Sequence, residues 1–291
     1  MNDKRTKNVE IFRDTEKLCK ENDKLRNAVY NSGKNQYIVQ ESDRIATDSA
    51  PRFEAPAKVI VSGKRSLEAA KAYADKGEKV CVHNFASATN PGGGVTKGSN
   101  AQEEAICRCS SLYFNISEEN IVNGFYNKHR QLLRAEKMTA TYNDDCIYTP
   151  EVMVFKSDTV SPELLTEKEW YSVDVITCAA PNLRERPSNM MNPDSGNKSV
   201  KLKEKDLKEL HIKRMRRIFD IAKKEKEDVL ILGAFGCGAF SNPPRVVADA
   251  MAAVVKEYQY DFKVIEFAVY CAPGNMENYE VFKRRLASFS S

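Results

Sequence analysis

Hydrophobic positions change their spacing several times along the 291-residue chain, and each change marks an element. Ile11, Thr15, Leu18, Cys19, Leu25 and Val29 fall on one stripe at helical spacing, so residues 8–30 read as an amphipathic helix. Residues 31–56 are polar and loop-like, apart from a short extended piece at Tyr37, Ile38 and Val39. From there, short apolar runs alternate with helical patterns. Residues 57–61 read as a strand, 66–74 as a helix closed by Gly77, 80–85 as a strand. Residues 102–114 read as one helix, with Ala105, Cys109, Leu112 and Tyr113 at core spacing.

Residues 147–155 read as a strand interrupted by Pro150. Proline cannot donate to a ladder, so this strand is expected at a sheet edge or in an irregular segment. Three further strands are predicted over 173–179, 229–233 and 262–271, with 183–200 a polar loop. Leu207, Leu210, Met215, Ile218, Phe219 and Ala222 form a helical stripe whose surrounding charges read as a solvated face. Helices are also predicted over 244–258, where leading prolines suit a first turn, and over 279–289. Strands alternating with helices point to an α/β chain with three α/β/α layers around a mixed central sheet. The expected organisation is an N-terminal helical extension, 1–56, packed on a core formed by 57–291.

Two loops carry candidate chemistry. The strand at 80–85 runs into Asn90, Pro91, Gly92, Gly93, Gly94, and a seven-residue spacer, Val95 to Ala101, leads to Gln102, Glu103 and Glu104 at a helix start. Three glycines strip the loop of side chains, so backbone can approach a ligand closely. Strand ends of this kind are where open α/β sheets place ligands. The second loop follows the strand at 229–233: Ala234, Phe235, Gly236, Cys237, Gly238, Ala239, Phe240, then Pro243 and Pro244 open a helix. Successive free N–H groups beside a helix N-terminus form an anion nest. A tight turn is the plain alternative. Two such loops together can clamp a diphosphate.

Adjacent helical residues point about 100° apart, so Glu103 and Glu104 are expected to hold different roles. One would transfer a proton while the other binds or structures the site. Acids in a first turn also cap a helix and meet its dipole favourably, which accounts for the pair without catalysis. Asn90 can serve a ligand hydroxyl or simply hold the turn before Pro91. His83 and Asn84 are weaker candidates, because strand residues so placed can be core polar groups.

Gly92-Gly93-Gly94, the spacer and Gln102-Glu103-Glu104 together resemble the defining motif of the microbial-type poly(ADP-ribose) glycohydrolases. Gly236-Cys237-Gly238-Ala239-Phe240 is similar to the diphosphate loop of macrodomain glycohydrolases. The resemblance implies a macrodomain fold and hydrolysis of ribose–ribose O-glycosidic bonds at polymer ends, releasing ADP-ribose. It implies Glu104 as general acid and base, Glu103 on a ribose hydroxyl, and Phe240 packed on the distal ribose unless it is a plain core aromatic. Asn90, Gly92–Gly94, Gln102 and 236–240 would bind substrate, with no metal and no cofactor. A helix N-terminus lowers a carboxylate pKa whereas a general acid needs it raised; desolvation and the substrate diphosphate would raise that of Glu104. Family members of the macrodomain fold present an acid to adenine after an early strand. Here residues 62–66 contain none before Glu68, and the adenine partner stays unassigned. The alternatives are a mono-ADP-ribosyl hydrolase acting on protein or nucleic acid, and a macrodomain that binds ADP-ribose without turnover.

Composition narrows the partners. With 45 basic and 41 acidic residues the formal charge is +4, too balanced for wholesale nucleic-acid binding. The expected partner is an ADP-ribose polymer or an ADP-ribosylated macromolecule. No run is long and apolar enough for a membrane span, and the charged start shows no secretory signal. Eight scattered cysteines suggest buried thiols in a reducing cytoplasm, and a monomer is expected. Zinc at Cys81, His83, Cys107 and Cys109 is disfavoured, since no Cys-x-x-Cys pair exists and Cys107 and Cys109 point to different sides of a helix.

Overall fold

A computed structural model describes residues 3–48, 50–272 and 274–289. Seven strands form one mixed sheet in the order β1-β4-β5-β3-β6-β7-β2. They are β1 (Tyr37–Val39), β2 (Lys58–Ser62), β3 (Val80–Ala86), β4 (Cys146–Val154), β5 (Tyr171–Ala179), β6 (Val229–Leu232) and β7 (Val264–Ala268). Strands β5, β3, β6, β7 and β2 run parallel; β4 runs antiparallel to β5, and β1 to β4. The four residues of β6 are all buried. A continuous Val-Leu-Ile-Leu run is what a parallel strand covered on both faces requires.

The helices are α1 (Asp3–Glu21), α2 (Asp23–Asn35), α3 (Ser66–Ala74), α4 (Gln102–Cys109), α5 (Leu112–Ile116), α6 (Glu119–Ile121), α7 (Lys128–Arg134), α8 (Glu204–Lys224), α9 (Pro244–Tyr258) and α10 (Glu277–Arg285). Met215 and Phe219 of α8, Val254 of α9 and Phe282 of α10 pack on one sheet face. Leu67 of α3, Ile106 of α4 and Phe12 of α1 pack on the other. These are the α/β/α layers expected from the alternating pattern.

Several elements differ in detail from the sequence reading. The single helix over 8–30 is two, broken at Asn22, whose extended backbone lets its side chain accept from Leu25 N at 3.1 Å and cap α2. Apolar spacing continues across the break and conceals it. The helix over 102–114 also divides. Ser110 is extended and bridges Val154, and Ser111 N donates to Met153 O at 2.9 Å. The two serines thus exchange helical bonds for bonds to β4. Strand β4 is irregular at Pro150, with a register shift between Thr149 and Val152, but it lies inside the sheet; the edge on that side is β1. Strand β7 is shorter than expected, and the last helix ends at Arg285 before a 3-10 turn over Ala287–Phe289. Among the described residues no helix is long and apolar enough to cross a membrane.

Candidate active site

Strands β3 and β6 are parallel neighbours, paired from Val80 with Val229, so their C-terminal ends emerge at the same edge of the sheet. The two glycine loops rise there and face one cleft of about 650 Å³. That volume suits a nucleotide-sized ligand. Gly93, Gly94, Gln102, Glu103 and Glu104 line it from the first loop, and Gly236, Gly238, Ala239 and Phe240 from the second.

The carboxylates of Glu103 and Glu104 are both buried. Glu104 Oε1 accepts from Gly94 N at 2.9 Å and its Oε2 from Ala101 N at 2.8 Å. Glu104 is therefore the cap that joins the glycine loop to the start of α4. Glu103 Oε2 accepts from Ser87 N at 2.8 Å, while its Oε1 has no hydrogen-bond partner. Burial, and then the neighbouring Glu104 charge, push the Glu103 carboxyl well above the usual carboxylate range. A buried carboxyl pushed towards its neutral form beside a second carboxylate is suited to proton transfer.

Gly93 explains why the loop is bare at this point. Its φ is +58°, and a Cβ there would lie 2.6 Å from Glu104 Oε1 and 3.0 Å from Glu103 Oε2. Gly92 instead faces Tyr113 and Cys107 in the core, and does not line the cleft. Gln102 clamps the end of β3: its Oε1 accepts from Phe85 N at 2.9 Å, and its Nε2 donates to His83 O at 2.8 Å and Ser66 Oγ at 3.0 Å. Asn90 lies outside the cleft lining. Its Nδ2 donates to Asn192 Oδ1 at 2.8 Å and Pro193 O at 3.0 Å, fastening the 189–195 segment to the glycine loop.

In the second loop the two flanking glycines do different work. Gly236 has φ +77° and any Cβ would strike Ala180 and Asn242, so it serves the turn. Asn242 locks that turn by donating to Pro181 O at 2.7 Å and Gly236 O at 3.1 Å. Around Gly238 there is open space: a side chain there would enter the cleft and meet nothing of the protein. Phe240 is half-buried, 6.2 Å from the Tyr142 ring, at the cleft wall. The Cys237 side chain packs towards the core, where burial pushes its thiol up. His83 lies beneath the site between Phe85 and Phe235, with both ring nitrogens unpartnered, and burial lowers it to about 3. It is a neutral core residue.

Other residues that shape the site come from segments that show no motif. Arg108, four residues after Glu104, is buried and donates to Ser99 O at 2.6 Å and Asn100 Oδ1 at 2.7 Å, fixing the turn before α4. Its place one helical turn beyond Glu104 is the signal that could have marked it. Asp158 also lines the cleft. Its Oδ2 accepts from Leu67 N at 3.0 Å, its Oδ1 is buried without a hydrogen bond, and burial raises its pKa. Arg65 lies 3.8 Å from that Oδ1 and stacks on Tyr270, 4.1 Å from the ring centre.

The profile of the microbial-type PARG catalytic domain matches residues 5–157, more than half of the chain. The chain belongs to the microbial-type poly(ADP-ribose) glycohydrolase family. The match includes the triple glycine and Gln102-Glu103-Glu104 but stops before the 236–240 loop. Similarity to solved family structures extends to that half. The chain is 26% identical to the poly(ADP-ribose) glycohydrolase of Thermomonospora curvata, covering 96% of this chain and 98% of that one with a TM-score of 0.80. It is also 26% identical to the Deinococcus radiodurans poly(ADP-ribose) glycohydrolase crystallised with ADP-ribose, over 90% of this chain and 98% of that one, at a TM-score of 0.71. The Thermomonospora curvata enzyme bound to the inhibitor ADP-HPD shares the fold at 24% identity, covering 96% and 98% of the two chains, with a TM-score of 0.76. The sequence has no significant match among curated proteins.

Proposed function

We infer that this family member performs the reaction for which the family is named: it is a glycohydrolase that releases ADP-ribose from poly(ADP-ribose). The observation that carries this is the convergence of two buried carboxylates on the bare face of Gly93, in the same cleft as the open nest at Gly238. A pure binding site has no need of a buried carboxyl pushed towards its protonated form.

In this reading the substrate's diphosphate lies against the 236–240 backbone, and Phe240 supports the distal ribose. Glu103 hydrogen-bonds a ribose hydroxyl. Glu104 delivers a proton to the departing ribose oxygen as the glycosidic bond breaks. Water then adds to the resulting oxocarbenium carbon, and Glu104 takes up the proton that water releases. The two carboxylates lie on one helix start, so they do not flank the sugar as in glycosidases that use acids on opposite faces. The adenine base lies against Tyr270, displacing the Arg65 guanidinium, with its amino group towards the unpaired Oδ1 of Asp158. All eight cysteines are free thiols, which supports a reducing cytoplasm.

The deciding experiment gives the purified protein labelled polymer and, separately, a protein carrying single ADP-ribose groups. Release of ADP-ribose from polymer is expected. Turnover of the mono-modified protein alone would overturn the assignment in favour of a mono-ADP-ribosyl hydrolase, and tight binding without release would make it a reader.

A further inference from the structure

The segment that follows β5 runs from one glycine loop to the other. At its start Leu183 N donates to Phe240 O at 3.0 Å, which ties it to the second loop. At its far end it lies on the residues that hold the acid pair. Met191 O would stand 3.3 Å from a Cβ on Gly94, the residue whose N–H orients Glu104. Asn192 Oδ1 accepts from the hydroxyl of Ser87 at 2.6 Å, and the N–H of Ser87 orients Glu103. Arg184 and Met191 of this segment line the cleft. Arg184 is half-buried, and among the described residues its guanidinium donates no hydrogen bond and has no ion-pair partner. Strand order fixes the flank on which it stands. The C-terminal ends of β5, β3, β6, β7 and β2 emerge at one edge in that order. Tyr270 follows β7 and Arg65 follows β2, so they mark one flank. The 183–192 segment follows β5 and marks the other, with the acid pair and the Gly238 nest between.

Given the polymer hydrolysis and the substrate pose inferred above, we propose that the 183–192 segment forms a second subsite, in which Arg184 binds the diphosphate of the polymer unit that leaves. An ADP-ribose unit laid from Tyr270 across the Gly238 nest ends at its distal ribose, between Phe240 and the acid pair. The bond that breaks joins this ribose to the next unit. A chain that enters from the Tyr270 flank and crosses the β6 and β3 loops continues onto the β5 flank, where Arg184 stands. The departing oxygen belongs to the adenosine ribose of the next unit, so the base and diphosphate of that unit lie only a few bonds from it. A guanidinium without a protein partner fits the diphosphate, and the Met191 thioether fits the face of the base. A single ADP-ribose group on a protein brings neither, so this subsite selects polymer over mono-modified substrates.

The test uses the full chain with Arg184→Gln. The control is Arg186→Gln, the same charge change at an exposed residue of the same segment that does not line the cleft. KM for polymer and the ADP-ribose dissociation constant are measured at about 50 and about 200 mM salt. Loss of a charge-assisted phosphate contact should raise polymer KM about tenfold at the lower salt. The variant's KM should also rise less with salt than that of wild type, while its ADP-ribose affinity equals wild type. Arg184→Lys keeps the charge without the planar fork and should recover part of the loss. The control should behave as wild type. An unchanged polymer KM in Arg184→Gln would overturn the subsite. So would a matching loss of ADP-ribose affinity, because Arg184 would then serve the unit that is released. A control that loses as much as Arg184→Gln would reduce the effect to overall charge, with the same consequence. A wild-type protein that releases nothing from polymer would overturn the hydrolase assignment as well, a result distinct from polymer cleavage that ignores Arg184.

Discussion

Glu103 and Glu104 are adjacent on a helix, yet their carboxylates meet at one place, on either side of the point where Gly93 would carry a Cβ. Their backbone directions diverge by about 100°. The length of the glutamate side chain, and backbone N–H groups from Ser87, Gly94 and Ala101, bring the two groups back together. The pair is thus one acid–base unit with unequal members, one oxygen of Glu103 being unpartnered and both of Glu104 engaged.

Replacing Gly93 by Ala should remove activity more than stability. At φ +58° an alanine costs about 1–2 kcal/mol, and its methyl displaces both carboxylates. Misplacing catalytic groups by about 1 Å costs on the order of 10²-fold. Single-turnover release of ADP-ribose should fall by at least that much in a protein that still melts cooperatively. Wild-type release would mean that the carboxylates are not the reacting pair.

Glu104→Gln keeps size but loses the transferable proton. Release of ADP-ribose should fall by about 10²–10⁴-fold, while ADP-ribose affinity changes little. The amide can accept from only one of the Gly94 and Ala101 N–H groups, so a stability loss of about 1–3 kcal/mol accompanies it. Rates are therefore compared well below the variant's melting temperature. Undiminished hydrolysis would leave Glu104 as a helix cap alone.

The raised pKa of Glu103 predicts a pH dependence. The folded state binds its proton more tightly than the unfolded chain, so the associated stability is full in acid and is lost as pH rises through the folded value. Glu103→Gln stays neutral throughout. Its melting temperature relative to wild type should climb as pH increases, while ADP-ribose binding and rate drop together because the ribose contact is altered. A melting difference that shrinks towards alkaline pH would show that Glu103 is ionised in the fold.

The two glycines of the second loop separate binding from folding. Gly238→Val places its side chain in open cleft space, so the protein should fold normally and bind ADP-ribose weakly by calorimetry. Gly236→Val forces a β-branched residue to positive φ against Ala180 and Asn242, and should lower the melting temperature. Equal ADP-ribose affinity in folded Gly238→Val would reduce the loop to a turn.

Asp158→Asn tests base recognition. The Asn carbonyl can keep the Leu67 N–H bond, which turns an amide NH2 towards the cleft in place of Oδ1. Affinity for ADP-ribose should drop about tenfold and that for the hypoxanthine analogue should rise, since a donor now meets the 6-oxo oxygen that replaces the amino group. Unchanged preference between the two ligands would exclude Asp158 from the base site.

The local features of this chain were legible in its sequence. Alternating apolar runs marked the strands, and glycines at 92–94 and 236–238 with Glu103 and Glu104 marked the site. Each of these is written in consecutive residues, because backbone conformation and the facing of side chains are local properties. The same logic failed where distant partners compete for a segment. Ser110 and Ser111 leave the helix to bond β4, and β4 tolerates Pro150 inside the sheet by slipping register. The order of strands alone put both glycine loops on one edge, and packing alone brought Asp158 and the first turns of α1 to the cleft. Asp158 is 91 residues from the Leu67 N–H that holds it, and Asn8 is 90 from Gly98. No periodicity spans such separations: those contacts exist only once the sheet has closed and its two faces are covered.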